Sequence, residues 1–288
     1  MALTLWTCRA AAQDPGIARL GEELRAPRME VRRAAAEALG RASYPQGALL
    51  LGRALGQEKE MSIRLEIVRA LRNIAFLCYP GYPEALQALA RAADDSLESA
   101  ELVRLRASEA LWEAHKKGLL DPTAFLARNL GDVSPRLRLS AVEMLRKVGT
   151  PQCVDPLGRA ALDASQPEAV RLAAIEALGA VSLADAGPAG RQVTRSNQRT
   201  TTLLGVPPLA PAAVLDERHR LQIRYLSAVV SAPQTPATLA LQAVKSMGRV
   251  KDKSAIAALR QAAETHASPA VRQQAGRVLS HVLARQYE

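Results

Sequence analysis

Aromatic residues are scarce in this 288-residue chain: two Phe, two Trp and five Tyr, 3% in all, against a hydrophobic content of 48%. A globule with one core would carry more large rings, each of which buries on the order of 150–250 Å². A core of Ala, Leu, Val and Ile suits many thin layers of closely approaching helices instead. Cysteine is nearly absent too. Cys8, Cys78 and Cys153 are odd in number, far apart and without a C-x-x-C pair, so neither a disulfide framework nor a zinc ligand set is implied. His115, His219, His266 and His281 form no H-E-x-x-H and no His-Glu pair, and the chain has neither a G-x-x-x-x-G-K-[ST] loop nor a G-x-S-x-G elbow. These absences exclude the familiar metal, phosphate-loop and serine-nucleophile chemistries, and no catalytic residue, metal or cofactor is expected. No run approaches the roughly 18 apolar residues that span a bilayer.

What is present is a repeated phrase: a β-branched or leucine residue, an arginine, then an alanine-rich stretch closing on Leu or Met. It runs from Val31-Arg32 to Leu39, Ile63-Arg64 to Leu71, Val103-Arg104 to Leu111, Leu137-Arg138 to Leu145, Val170-Arg171 to Leu178 and Val271-Arg272 to Leu279, with a copy lacking arginine from Leu239 to Met247. A period of roughly 33–40 residues marks a stacked helical solenoid, in which no unit buries its apolar face alone. Helix starts are written as a capping residue before proline at Asp14-Pro15, Asp121-Pro122, Ser134-Pro135, Thr150-Pro151, Thr235-Pro236 and Ser268-Pro269. The spacing predicts helix pairs over 15–26 with 28–41, 46–57 with 60–77, 83–93 with 98–117, 122–130 with 135–148, 151–164 with 167–181, 214–231 with 236–249 and 252–266 with 269–286. The expected fold is an all-α, right-handed α-solenoid of antiparallel helix pairs, the second helices lining its concave face.

Val31-Arg32-Arg33-Ala34-Ala35-Ala36-Glu37-Ala38-Leu39-Gly40 and Val170-Arg171-Leu172-Ala173-Ala174-Ile175-Glu176-Ala177-Leu178-Gly179 carry the V-R-x-x-A-x-x-A-L-G pattern. The chain thereby resembles HEAT-like repeats of the phycobilisome-lyase type, well over 14–185 and adequately over 235–282. The resemblance implies a fold more firmly than a function. Hydroxylases on HEAT-like repeats hold a di-iron centre with His-Glu motifs, which are missing here. HEAT-like DNA glycosylases rely on aromatic side chains and a carboxylate, whereas Trp6 lies outside the repeats, Trp112 stands alone, and Tyr225 is the one aromatic near the basic cluster.

The repeated arginine lies seven residues before its closing leucine, nearly the same azimuth, and so begins on the buried side of the first turn. A semi-buried guanidinium needs carboxylate or carbonyl partners. An inter-repeat ladder of Arg32, Arg64, Arg104, Arg138, Arg171 and Arg272 is therefore expected, with acidic partners in the turn before each copy: Glu58 before Arg64, Asp94 and Asp95 before Arg104, Asp132 before Arg138, Asp163 before Arg171. Glu37, Glu109, Glu143 and Glu176 recur at one repeat position and read as solvated surface pairs.

Charge is distributed unevenly. Residues 1–185 hold 24 basic and 23 acidic residues, net +1, and residues 186–288 hold 14 and 5, net +9. Arg171 and its equivalent Ala240 are 69 positions apart, about two periods with one recognisable pair, so one repeat has decayed or been replaced. The domain reading is 1–13 as a cap or signal-peptide remnant, 14–185 as repeats, 186–213 as a basic insertion or degenerate repeat, and 214–288 as C-terminal repeats. Segment 186–213 has no acidic residue; Arg191, Arg195, Arg199, Arg218, Arg220 and Arg224 are the expected contacts to an anionic partner. The expected function is a non-catalytic protein-interaction scaffold, with a protein partner. Alternatives are nucleic-acid-backbone binding through the basic C-terminal region and a lyase-type enzyme related to phycobilin lyases. A cytoplasmic location is expected, or export if Met1–Ala12, with its Ala10-x-Ala12, ends a longer signal peptide. Arginine and alanine in excess of lysine are compatible with a GC-rich bacterial genome.

Overall fold

Alanine, leucine and arginine favour helix, and the apolar residues recur at helical spacing, so the chain has little choice of local structure. The computed structural model describes residues 15–42, 45–77, 83–94, 96, 98–181, 211–250 and 252–284, with backbone only for 42, 45, 77 and 211–218. Among these residues there are fourteen α-helices and no strand. The first three pairs are α1 (Pro15–Glu23) with α2 (Met29–Ala42), α3 (Pro45–Gln57) with α4 (Met61–Leu77), and α5 (Pro83–Ala92) with α6 (Glu101–Lys116). Next come α7 (Thr123–Asn129) with α8 (Pro135–Val148), and, after a 3₁₀ turn at Pro151–Cys153, α9 (Val154–Leu162) with α10 (Glu168–Ala180). The last are α11 (Pro211–Ser231) with α12 (Ala237–Met247) and α13 (Ser254–Thr265) with α14 (Pro269–Ala284).

Two units emerge, one ending at Ala114 and the other beginning at His115. In the first, α1, α3 and α5 pack in a row and α2 packs on α4. In the second, α9, α11 and α13 form one row and α8, α10, α12 and α14 the other. Each is the stacked-pair arrangement of an α-solenoid. The ends of the repeated phrase form the core: Ile63, Val103, Leu137, Val170, Leu239 and Val271 at one end and Leu39, Leu71, Leu111, Leu145, Leu178 and Met247 at the other are all at most 1% exposed.

Helix punctuation works as expected at α8, where Ser134 Oγ accepts the Leu137 N–H, Pro135 opens the helix and Gly149 (φ 62°) closes it in the left-handed region. At Pro122 and Pro236 the proline itself sits in the cap position and the helix begins one residue later. At Pro122 the capping work passes to the residue before it: Asp121 Oδ1 accepts the Thr123 N–H at 2.9 Å.

A glycine eight residues after the repeat arginine sets how closely second helices approach. A Cβ on Gly40 would lie 2.8 Å from the Ala70 Cα, one on Gly179 2.8 Å from the Ser246 Cα, and one on Gly248 2.5 Å from Val278 Cγ1. Each partner stands at the same position of the following repeat, six after its arginine or the arginine's equivalent. The α10–α12 step thus repeats the α2–α4 step, although far more sequence separates it. Gln222, fully buried on α11, seals this joint by donating to Leu178 O (2.9 Å) and Val181 O (3.0 Å) at the end of α10. The pairs α9–α10 and α11–α12 are direct neighbours, with residues 182–210 between them in sequence.

Candidate binding face

The ladder arginines sit at the turn that joins the two helices of a pair. Arg32 Nη1 donates to Ala26 O and Pro27 O (both 3.0 Å), Arg104 Nη1 to Glu98 O and Ser99 O (both 2.9 Å), and Arg272 Nη1 to His266 O (2.6 Å) and Ala267 O (3.0 Å). Arg138 Nε donates to Asp132 O, and Arg171 reaches Ala161 O at 3.1 Å. Each of these five guanidinium groups therefore ties down a carbonyl of its own turn or, for Arg171, of the last turn of α9. Its other edge serves the next repeat: Arg32 bonds Glu58 (2.7 Å), Arg64 pairs with Glu98, and Arg138 donates to Gln166 Oε1 (3.1 Å).

The carboxylate partners differ from the sequence expectation in their direction. Glu58 serves Arg32 of the preceding repeat, and Glu98, which sequence reading overlooked, serves Arg64. Within their own turns these carboxylates accept N–H groups two residues on: Glu58 from Glu60, Glu98 from Ala100, Asp132 from Ser134, Asp163 from Ser165, Asp94 from Ser96. Asp163 is exposed, and its carboxyl is held below its usual range by the Ser165 hydroxyl and N–H, with Arg171 a lesser influence. Burial opposes ionisation of Glu58, but the bond from Arg32 and the N–H groups of Glu60 and Lys59 outweigh it and depress the carboxyl.

None of the sequence candidates for chemistry lies in a convergent site. Cys153 is fully buried between Thr150 Oγ1 (3.4 Å) and Thr123 Oγ1 (3.8 Å), and burial pushes its thiol up. Tyr225 lies over Gly158 and donates to Asp155 Oδ1 (2.5 Å), so its ring is used in joining α11 to α9. His266 caps α14 by accepting the Ser268 N–H (3.0 Å). Among the described residues no group of three or more His, Cys, Asp or Glu could hold a metal, and no helix is long and apolar enough to cross a membrane. Arg191, Arg195 and Arg199 lie outside the described residues, as do Cys8, Cys78, Trp6 and Asp95, segment 1–13 and all of 186–213 up to Pro211. Arg218 is on α11 with its side chain not described; Arg220 and Arg224 are exposed one turn apart on the same helix.

The informative surface is the exposed face of the second helices, at positions five and nine after the repeat arginine. In the first unit it is charged but internally paired: Glu37 with Arg41, Arg69 with Glu66 (2.7 Å), Arg106 with Glu109 (2.8 Å), and Arg72 of α4 with Glu113 of α6 (2.6 Å). In the second unit the face begins the same way. Glu143 on α8 binds Arg146 (2.7 Å) and Lys147 (3.2 Å), and α10 presents Glu176. Then the sign reverses: the equivalent positions are Lys245 on α12 and Arg249 in the turn just after it, and Arg277 and His281 on α14, four exposed side chains. Neither α12 nor α14 contains an acidic residue, and these four side chains have no hydrogen-bond or ion-pair partner among the described residues. They line a groove of about 300 Å³ floored by Gly248, Val278 and Val282. Counting five residues on from Ala240 and Arg272 finds Lys245 and Arg277, a step the sequence reading did not take.

The Arg146 bond, supported by Lys147 and opposed by partial burial, holds the Glu143 carboxyl at about 2 rather than its ordinary 4.5. A depressed folded-state carboxyl stabilises above its unfolded value, and that contribution is lost as pH falls through the folded one. Glu143→Gln is expected to cost less than about 1 kcal/mol at neutral pH, since the pair is solvent-screened. In urea titrations, the gap between variant and parent should close between pH about 4.5 and about 2; a gap unchanged across that window would refute the pairing.

Stacked antiparallel helix pairs, joined by turn arginines and presenting a continuous second-helix face within each unit, define an α-helical repeat protein. The chain belongs to the HEAT-repeat family, whose repeats match residues 17–112 and 123–198. The match is to HEAT repeats without distinction of subgroup. Among solved structures the chain is similar to human deoxyhypusine hydroxylase in complex with glycerol (17% identity, covering 93% of this chain and 96% of that one, TM-score 0.35). It is also similar to a computationally designed self-assembling cyclic homo-oligomer (13%, 94% and 89%, TM-score 0.26) and to Uso1-2 (14%, 98% and 52%, TM-score 0.25). No match was found among curated proteins.

Proposed function

We propose that this chain is a non-catalytic protein-interaction scaffold. Its second-helix face receives a protein partner, and its basic C-terminal part, with segment 186–213 as an insertion and Arg191, Arg195, Arg199, Arg218, Arg220 and Arg224, contacts anionic groups on that partner. HEAT repeats generally mediate protein interactions. The observation that carries the reading is the reversal of charge along one face of the second unit, from Glu143 and Glu176 to Lys245 and Arg277, the helices of the basic end, α12 and α14, carrying no carboxylate. Uncompensated like charges repel one another, and an acidic partner relieves that repulsion while steering its own encounter.

The test is affinity capture from the source cell with the full chain, beside a variant in which residues 186–208 are replaced by a Gly/Ser segment of equal length. The parent should retain a protein that the variant loses. Undiminished capture removes the insertion from the reading. A captured species that is destroyed by nuclease, with affinity falling steeply in salt, replaces the scaffold by a nucleic-acid-backbone binder.

A further inference from the structure

The groove between α12 and α14 is more specific than a basic patch. Lys245 lies near the end of α12 and Arg249 in the turn that follows it, while Arg277 and His281 are four apart on the neighbouring α14. Side chains so spaced start about 5–6 Å apart along a helix, and adjacent helix axes run about 8–10 Å apart. The result is a four-cornered array of nitrogen donors. Between the corners runs an apolar strip with Gln274 beside it: Gly248 lets Val278 approach to within what would be 2.5 Å of a Cβ, and Val282 continues the strip one turn on.

We infer that this groove binds an acidic amphipathic helix of a protein partner, its apolar stripe on Val278 and Val282 and its carboxylates, four residues apart, on Lys245, Arg249, Arg277 and His281. This deepens the scaffold reading and rests on it. A helix in a groove buries a narrow apolar row while its flanking side chains reach the rim, which is the pattern of this site. Arginine adds a two-pronged donor suited to carboxylate. Two features disfavour a nucleic acid as occupant. Neither α12 nor α14 carries a Phe, Tyr or Trp on which a base could stack, and a strip of valine offers nothing to a sugar-phosphate backbone. The corresponding groove between α4 and α6, of about 350 Å³, is no competitor, since Arg69, Arg72 and Arg106 are already engaged by Glu66, Glu113 and Glu109.

The experiment uses the full chain and a fluorescent synthetic helix of about sixteen residues, roughly 24 Å long, with a leucine row flanked by glutamates four apart. Versions with glutamine or lysine in place of glutamate serve as comparisons, as does a short single-stranded oligonucleotide. The glutamate peptide should bind at least about tenfold more tightly than the glutamine peptide, a difference of about 1.4 kcal/mol. The double variant Lys245→Glu/Arg277→Glu should lose that preference and acquire one for the lysine peptide. Lys116→Glu/Arg136→Glu makes the same change in net charge elsewhere in the second unit and should behave as the parent. If circular dichroism shows the reversed variant to be unfolded, Lys245→Gln/Arg277→Gln takes its place, with loss of preference as the expected result.

Equal binding of the glutamate and glutamine peptides overturns the inference. So does an equal loss in the Lys116/Arg136 variant, or tighter binding of the oligonucleotide that is itself lost on reversal. If the peptides fail while the full chain still captures a protein, the groove assignment falls and the scaffold reading stands; loss of both removes the scaffold.

Discussion

Arg104→Ala is expected to destabilise the first unit by about 3–5 kcal/mol, read as a shift of its urea transition. Arg104 is 2% exposed and is the largest fully buried side chain. Its Nη1 holds Glu98 O and Ser99 O, both at 2.9 Å, in a turn where the Glu98 carboxylate also receives Arg64 and the Ala100 N–H. Truncation leaves the buried Glu98 carbonyl without that donor and opens a void where the guanidinium stood. A lysine would restore charge without the planar fork and should recover only part of the loss. Arg106→Ala, two residues on, removes an exposed partner of Glu109 and should cost less than about 1 kcal/mol. Equal effects at the two positions would show that the buried guanidinium does not secure the turn.

Gly179→Ala is the second large effect, and its sign is opposite to the usual one. Alanine in place of glycine inside a helix ordinarily stabilises by roughly 0.5–1 kcal/mol. That gain is expected at Gly276 on α14, where a Cβ meets nothing within 4 Å. At Gly179 the new carbon would lie 2.6 Å from Ser246 Cβ and 2.8 Å from its Cα, so a helix backbone must retreat. The expected result is a net loss of roughly 1–3 kcal/mol. Thermal or urea unfolding of the two alanine variants side by side decides it. If Gly179→Ala stabilises like Gly276→Ala, α10 and α12 are not in contact at this joint, and the direct stacking of the pairs on either side of residues 182–210 is wrong.

Much of the fold was legible because its information is local. Apolar residues at helical spacing and proline-marked starts located all seven pairs to within a few residues, and the azimuth of Arg32 relative to Leu39 placed the ladder arginines in partly or wholly buried positions. The choice of partner was not local. Glu58 lies six residues before Arg64 in sequence, yet it bonds Arg32, twenty-six residues away, because the stacking offset sets each turn beside the arginine of the repeat before it. Glu98 was overlooked for the same reason.

The binding face shows the same division. The recurrence of Glu37, Glu109, Glu143 and Glu176 was visible, and so was the C-terminal positive excess, but nothing in the sequence placed the two on one surface. The Leu239–Met247 copy has no arginine, and its sequence alignment through Ala240 agrees with the close approach of Gly179 to Ser246.

By itself, then, the sequence determined the helices, their pairing, the repeat and the asymmetry of charge, all consequences of spacing along a 3.6-residue period. The tertiary structure decided which carboxylate meets which arginine, that α11 and α12 follow α9 and α10 without a missing layer, and that Lys245, Arg249, Arg277 and His281 share one groove. Contacts between repeats depend on how far one helix pair is displaced against the next. That displacement is set by where glycine lets two backbones close, a property of the packed pair and of neither strand of sequence alone.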